Sequence, residues 1–355
     1  MRRIRISLLR VAPRVAALGV LIIAAATATA AAQDLGNSLK VDRLEFPVSL
    51  SAGVADPGPC TIVGYLYYHG SFRERPLQVV VHGATYAHTY WDFPRVNGVD
   101  YSYARYMAAP DRKYAILAVD QLAAGESCKP ANGLLVTLDE TASALNQVLE
   151  QLRTGRNATG YAFEQIALVG HSAGSINAIY VQARWHPADA LVVTAARHIA
   201  TEPLPPGIVR VLPFVPDLAG LPYFPLPPEL RTALFYHAPA ADRDVIAADN
   251  ATADVWTGGQ VTSTFAAFLY PVLYPYPPYP PIDGVNLVRG DVLIQLGEFD
   301  ALFPAGSPET EAALWPNARV TVQELSGIGH SFNLHLGREA SWERIDSWLR
   351  ETLAR

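Results

Sequence analysis

Three short, continuous apolar runs constrain the fold of this 355-residue chain more than any other feature. They occupy residues 77–81, 115–119 and 165–169. Strands that are covered by helices on both faces have such uninterrupted apolar sequences, as in parallel sheets. Helical patterns at 101–108 and 137–152 separate the runs. We therefore predict an α/β fold with a doubly wound, mostly parallel sheet.

The same alternation of strands and helices continues on both sides of these runs. Two strands near the start, at 41–51 and 61–68, predict an antiparallel hairpin at one edge of the sheet. The remaining predicted strands lie at 190–194, 291–296 and 319–325, and the remaining predicted helices at 173–184, 309–314 and 339–353.

Residues 202–286 interrupt the alternation with an insertion that is rich in proline and tyrosine. Proline at this density excludes long helices and central strands, because it lacks an N–H donor and fixes φ. The many apolar and aromatic residues are unlike a free linker. We therefore predict a cap on a core made of 33–201 and 287–355. A polyproline ligand for another domain is the alternative.

The first 32 residues have the pattern of a secretory signal peptide. Five arginines within the first 14 residues precede an apolar run at 15–26, and three alanines at 30–32 provide a small-residue cleavage site. An uncleaved membrane anchor is the alternative, although the apolar run is short for a membrane span. We expect cleavage before Gln33, no stable membrane insertion afterwards, and a secreted protein in the extracellular space or periplasm.

The chain contains two cysteines, Cys60 and Cys128. In an exported protein a disulfide between them is expected, and it would join the N-terminal hairpin to the loop after the strand at 115–119. Two unpaired thiols are the alternative. Two cysteines without suitably spaced histidines do not predict a zinc site, and the sequence indicates neither a metal nor a cofactor.

Charge and composition exclude several classes of protein. Half of the residues are apolar and 17% are charged, which excludes a disordered or fibrous chain. The net charge is −6 and the basic residues are scattered, so the chain lacks the basic surface typical of nucleic-acid-binding proteins. The sequence gives no indication of an oligomeric state.

The pentapeptide Gly-His-Ser-Ala-Gly at 170–174 is a candidate catalytic motif. It follows the third apolar run and precedes a helical pattern. In that context Gly-x-Ser-x-Gly forms a sharp turn that exposes the serine hydroxyl. A serine becomes nucleophilic when a neighbouring base removes its proton, so Ser172 is the candidate nucleophile. His171 is expected to point away from it and to pack in the core.

On these residues the chain resembles the α/β-hydrolase superfamily, and within it the secreted serine esterases and lipases. The segment His82-Gly83-Ala84 resembles the His-Gly segment of that family at the end of its third strand. This resemblance implies that the backbone amides of Ala84 and Ala173 form an oxyanion hole. An ordinary turn at the end of a strand is the alternative for His82 and Gly83.

The resemblance also implies the two partners of the serine, in the order serine, acid, histidine. His330 follows the last predicted strand in a Gly-His sequence that matches the family's catalytic base. His335 is the alternative base. Asp300 ends the preceding strand, where the family keeps its acid, and Glu298 is the alternative acid.

These residues predict an acyl-enzyme mechanism on a small-molecule carboxylic ester, thioester or lactone, without a cofactor. Aromatic residues of the cap, including Phe235, Trp256, Phe265 and Phe268, favour an apolar or aromatic substrate. Hydrolysis of an amide or carbon–carbon bond, or perhydrolysis, would use the same triad and is the alternative. A non-catalytic binding protein on the same scaffold is a further one, because fold does not fix function.

Overall fold

The structure is a computed structural model that describes residues 38–54, 59–198, 203–269 and 283–354. The predicted signal peptide and the most proline-rich stretch of the insertion lie outside these ranges. No helix within them is both long and apolar enough to cross a membrane.

Eight strands form the central sheet: β1 (Leu39–Val48), β2 (Cys60–His69), β3 (Leu77–Val81), β4 (Ala115–Val119), β5 (Ile166–His171), β6 (Ala190–Thr194), β7 (Gly290–Gly297) and β8 (Ala318–Leu325). Their spatial order is β1-β2-β4-β3-β5-β6-β7-β8. The β1–β2 and β2–β4 pairs are antiparallel and all other pairs are parallel. The sheet is therefore mostly parallel with an antiparallel edge, which confirms the predicted fold class.

Ten α-helices lie within the described residues: α1 (Tyr103–Ala108), α2 (Leu138–Thr154), α3 (Ala173–Trp185), α4 (Pro206–Val211), α5 (Val215–Ala219), α6 (Pro228–Phe235), α7 (Arg243–Ala251), α8 (Gly258–Phe268), α9 (Pro308–Ala312) and α10 (Arg338–Leu353). Helix α2 begins after Thr137, whose side chain accepts the amide of Glu140, and ends at Gly155, whose φ is 71°. These are the expected capping residues for each end.

Both faces of the sheet are covered. Val79 and Val81 of β3 belong to the apolar cluster shared with α2 and α3, whereas Val80 belongs to the cluster shared with α1 and α10. Successive strand residues point to opposite faces. The apolar residues of β3 therefore supply both clusters, as expected for a doubly wound sheet.

The insertion between β6 and β7 is more helical than its proline content predicts. It contains α4 to α8, the longest of which, α8, has 11 residues, so short helices form that the sequence did not predict. Pro206 and Pro228 are the first residues of α4 and α6, where a missing N–H breaks no helical hydrogen bond. Helices α7 and α8 lie in residues 242–269, which contain no proline. Proline position, not density, decides where helices form.

The two cysteines form a disulfide in the structure. Cys60 begins β2 and Cys128 lies in the loop after β4. The bridge therefore joins the two segments that were expected from the sequence. It fixes the antiparallel edge of the sheet to the loop that follows a central strand.

Candidate active site

Ser172 lies in the sharp turn between β5 and α3. Its backbone has φ 55° and ψ −124°, which non-glycine residues adopt rarely and at an energetic cost. The neighbouring positions must be glycine: a Cβ on Gly170 would lie 2.5 Å from Ser175 Cα, and one on Gly174 would lie 2.3 Å from the carbonyl oxygen of His82. The Ser172 amide donates to the Thr194 carbonyl at 2.9 Å. The packing of the turn thus fixes the strained serine.

The side chains of Ser172, His330 and Asp300 form a continuous chain of contacts. Ser172 Oγ lies 2.8 Å from His330 Nε2, and His330 Nδ1 lies 2.8 Å from Asp300 Oδ2. The other oxygen of Asp300 accepts the amides of Leu302 and Phe303 at 2.8 and 2.9 Å. Because a carboxylate only accepts, Nδ1 carries a proton and Nε2 accepts the serine hydroxyl. This arrangement allows His330 to receive the proton of Ser172.

The alternative acid and base lie outside these contacts. Glu298 is exposed and accepts the amide of Gly327 at 3.0 Å. His335 is buried, and its Nε2 accepts the amides of His237 and Gly329, each at 3.1 Å. Burial lowers the pKa of His335 to about 4, so the ring is neutral and fixes the chain around it.

His171 packs in the core, as its place in the turn suggested. Its ring stacks on Tyr90 with 4.3 Å between the ring centroids, and its Nδ1 lies 3.2 Å from Thr194 Oγ1. Burial holds the pKa of His171 well below its ordinary value. A neutral ring in this position supports the turn without competing with His330 for the serine proton.

The residues predicted for the oxyanion hole border the same space. Ala84 and Ala173 both line the cavity beside Ser172. Ala173 is the first residue of α3, and the amides of a helix's first turn have no acceptor within the helix. A Cβ on Gly83 would lie 2.9 Å from Ser172 Cβ, so the segment before Ala84 lies directly against the serine. Both residues therefore lie beside the nucleophile.

The cavity beside Ser172 is apolar and partly open to solvent, and the space between its lining atoms, including the open part, is about 660 Å³. The insertion supplies most of its described lining, and none of the lining side chains within the described ranges is charged. Its aromatic members are Phe224, Phe235, Trp256, Phe265, Phe268 and Phe303.

Another buried histidine, His198, which the sequence did not single out, follows β6. His198 Nε2 lies 2.7 Å from Asp283 Oδ2, and its Nδ1 lies 2.9 Å from Glu311 Oε1. Burial alone lowers the pKa of His198, but the two carboxylates outweigh it and raise the pKa to about 10. No group of three or more acidic, histidine or cysteine side chains in the described part of the chain is arranged to hold a metal ion.

Comparison with known proteins identifies the family of the chain. Residues 78–340 match the sequence profile of the alpha/beta hydrolase family. The chain belongs to the alpha/beta hydrolase family. No curated protein matches its sequence.

Solved structures of several hydrolases are similar to this family member. An esterase from Thermogutta terrifontis is 17% identical with a TM-score of 0.58, and the match covers 86% of this chain and 98% of the esterase. A putative lipase from Acinetobacter baumannii AYE is 14% identical with a TM-score of 0.56, covering 87% and 92%. The 2-hydroxy-6-oxo-6-phenylhexa-2,4-dienoate hydrolase from Rhodococcus is 15% identical with a TM-score of 0.56, covering 90% and 100%. At these identities the likeness concerns the fold.

Proposed function

We propose that this alpha/beta hydrolase is a secreted serine hydrolase that cleaves a carboxylic ester, thioester or lactone of an apolar or aromatic substrate. The observation that carries the proposal is the chain of two 2.8 Å contacts from Ser172 through His330 to Asp300. It ends at the uncharged cavity beside Ser172. Nucleophile, base and orienting acid are the three parts that acyl transfer requires.

In the proposed mechanism Ser172 attacks the substrate carbonyl while His330 takes its proton. Asp300 holds the imidazole in one tautomer and stabilises its positive charge. The amides of Ala84 and Ala173 donate to the oxygen that becomes negative, and they need no reorientation when the charge develops. His330 then protonates the leaving alcohol. Water activated by the same histidine releases the acid from Ser172.

The cavity supports a neutral, apolar substrate portion. A charged group that left water for this space would meet no charged partner among the described lining residues, and such burial is costly. Phe235, Phe265 and Phe268 offer aromatic surface to an acyl or alcohol group. We therefore assign substrate selection to the insertion, which we propose is a cap at residues 202–286.

Export is the second part of the proposal. The signal-peptide pattern of residues 1–32 supports it, and so does the disulfide between Cys60 and Cys128, because such bonds persist in oxidising compartments. N-terminal sequencing of the exported protein is expected to begin at Gln33. An intact N-terminus in the membrane fraction would contradict cleavage and support an anchor.

A panel of p-nitrophenyl esters and matching anilides tests the reaction. We expect the purified protein to hydrolyse the esters and to be labelled by a fluorophosphonate. Ser172→Ala should abolish labelling and lower kcat by roughly 10⁴- to 10⁶-fold. Faster cleavage of anilides than of esters would favour the amide-bond alternative. A wild-type protein that neither turns over a substrate nor reacts with the fluorophosphonate would exclude a serine hydrolase.

A matched pair of substrates tests the uncharged cavity. p-Nitrophenyl butyrate and p-nitrophenyl hemisuccinate have acyl chains of similar length, but only the second carries a carboxylate. We expect kcat/KM to be at least about 100-fold higher for the butyrate, because the cavity desolvates the acyl chain. Equal values would show that the acyl group does not enter this cavity.

A further inference from the structure

A buried ion pair lies inside the insertion. Arg231 of α6 and Asp249 of α7 are 0% and 2% exposed, and Arg231 Nη2 lies 2.7 Å from Asp249 Oδ2. The desolvation of two charges cancels much of their attraction, so apolar residues would hold these helices together equally well. The presence of charged residues at these positions is therefore explained by the other groups that they contact.

One end of the pair reaches the segment that carries the Ala84 amide. Arg231 Nη1 donates to the carbonyl oxygen of Thr85 at 3.2 Å and also to its hydroxyl. Thr85 has φ 61°, a conformation that is unfavourable for a β-branched residue. The guanidinium also lies over the ring of Tyr86, 4.7 Å from its centroid. Arg231 thus contacts both residues that follow Ala84, and it holds Thr85 in its strained conformation.

The other end of the pair reaches the loop that carries His330. Asp249 Oδ2 accepts the hydroxyl of Tyr86 at 3.3 Å, and that hydroxyl lies 2.6 Å from Ser331 Oγ. Ser331 is the residue after His330, and its amide donates to the carbonyl oxygen of Phe235 in α6 at 2.9 Å. The same helices therefore hold both the oxyanion segment and the histidine loop.

We infer that Arg231, with Asp249, is a positioning residue that fixes the Ala84 amide relative to Ser172 and His330. The inference rests on the proposed function. Neither charged side chain lines the cavity, so they act through the residues that they hold. An oxyanion-hole donor contributes fully only when it lies about 2.7–3.1 Å from the developing oxyanion. A displacement of about 1 Å at a reacting centre can cost on the order of 100-fold in rate.

The double variant Arg231→Gln/Asp249→Asn tests this role. It removes both charges together, so no unpaired charge stays buried, and it breaks the hold on Thr85. We expect kcat for p-nitrophenyl butyrate to fall about 10- to 100-fold while KM changes less than about 3-fold. A trifluoromethyl ketone adds to the serine and places an oxyanion in the hole. Its affinity should therefore fall by the same factor as kcat/KM.

Arg153→Gln is the matched control. Arg153 also bridges two loops through carbonyl oxygens, donating to Pro187 at 3.0 Å and to Phe163 at 3.4 Å. These loops precede β5 and β6, at the edge of the sheet opposite Ser172. We expect this variant to lower the melting temperature without changing kcat or the affinity for the ketone. The double variant should be assayed well below its own melting temperature.

The outcomes separate this inference from the proposed function. An active wild type whose folded double variant keeps its kcat and ketone affinity would overturn the inference alone. A wild type without esterase activity and without ketone binding would reject both. If the double variant does not fold, Arg231→Lys replaces it. That variant keeps the charge next to Asp249 but cannot contact both groups at once, so kcat should fall while KM is retained; an unchanged kcat would again overturn the inference.

Discussion

His330 and His198 are both buried imidazoles that lie beyond the carboxyl ends of strands, and in each ring both nitrogens have a side-chain partner. His330 lies between the carboxylate of Asp300 and the hydroxyl of Ser172. His198 lies between the carboxylates of Asp283 and Glu311. A hydroxyl can donate a proton to the ring, whereas a carboxylate can only accept.

This single difference gives the two rings different chemistry. Nε2 of His330 is free of a proton and can act as a base. Both nitrogens of His198 hold protons, which agrees with its pKa of about 10, and the ring cannot accept another one. A buried histidine with a carboxylate partner is therefore insufficient evidence for catalysis. The partner of the second nitrogen decides whether the ring transfers protons or acts as a fixed charge.

The largest predicted effect separates the two rings by activity. His330→Gln removes the base and should lower kcat on the order of 10⁵-fold or more, with little change in melting temperature. His198→Gln should keep kcat within about 5-fold, because both ring nitrogens bond to Asp283 and Glu311, which have no role in the proposed mechanism. Steady-state assays with p-nitrophenyl butyrate measure both. A comparable loss of kcat in a folded His198 variant would contradict the distinction.

A second pair of variants tests whether Asp300, and not Glu298, is the acid that orients His330. Asp300→Asn should lower kcat by roughly 10³- to 10⁴-fold, because an amide does not hold the imidazole in the required tautomer. Glu298→Gln should change kcat less than about 3-fold, since Glu298 is exposed and bonds only to a turn. The reverse ranking would transfer the role of the acid to Glu298.

The fixed charge of His198 should appear in the stability of the protein. His198→Gln removes the cation that lies between Asp283 and Glu311 and should lower the free energy of unfolding by about 2–4 kcal/mol at pH 7. A folded-state pKa raised from 6.5 to about 10 stabilises fully below pH 6.5, and this contribution is lost as the pH rises to about 10. Urea titrations should therefore show the difference between wild type and variant shrinking from pH 7 to pH 10. A difference that grows would contradict a charged ring.

The smallest predicted effect concerns the loop that carries His330. Tyr86→Phe removes the hydroxyl that lies 2.6 Å from Ser331 Oγ. One buried hydrogen bond contributes about 1 kcal/mol, so kcat should fall about 3- to 10-fold, less than in the Arg231/Asp249 double variant. KM and the melting temperature of the variant should be measured beside kcat and compared with those of the wild type. An unchanged kcat would show that the loop is held sufficiently by its backbone contacts.

The sequence was sufficient to predict which strands the three candidate catalytic residues follow. Ser172, Asp300 and His330 each follow a strand with a clear apolar pattern, and the carboxyl ends of parallel strands meet at one edge of the sheet. The structure brings the three together, and their catalytic roles stay a proposal. Whether a residue directly follows a strand can be recognised from the residues next to it in the chain. For that reason these three positions could be predicted from the sequence alone.

The two buried charge clusters could not be predicted in this way. Arg231 and Thr85 are 146 residues apart, and His198 and Glu311 are 113 residues apart. Neither contact leaves a periodic or compositional signal, and the arginine looks like an exposed position of an amphipathic helix. The helices of the insertion were missed for another reason. Counting prolines hid the fact that Pro206 and Pro228 begin helices.

The contact between His198 and Asp283 also has a consequence for how the insertion can change. His198 precedes the insertion, and Asp283 lies near its end, 85 residues later along the chain. Their ion pair therefore joins the two ends of the insertion. Doubling the length of a closed flexible loop costs only about 0.6 kcal/mol. Connections between the helices of this segment can therefore change in length with little effect on the sheet while the ion pair is kept, whereas α6 has to keep its contacts with Thr85 and Ser331. New substrate preferences can arise in the loop while the strands that carry Ser172 and Asp300 keep their register.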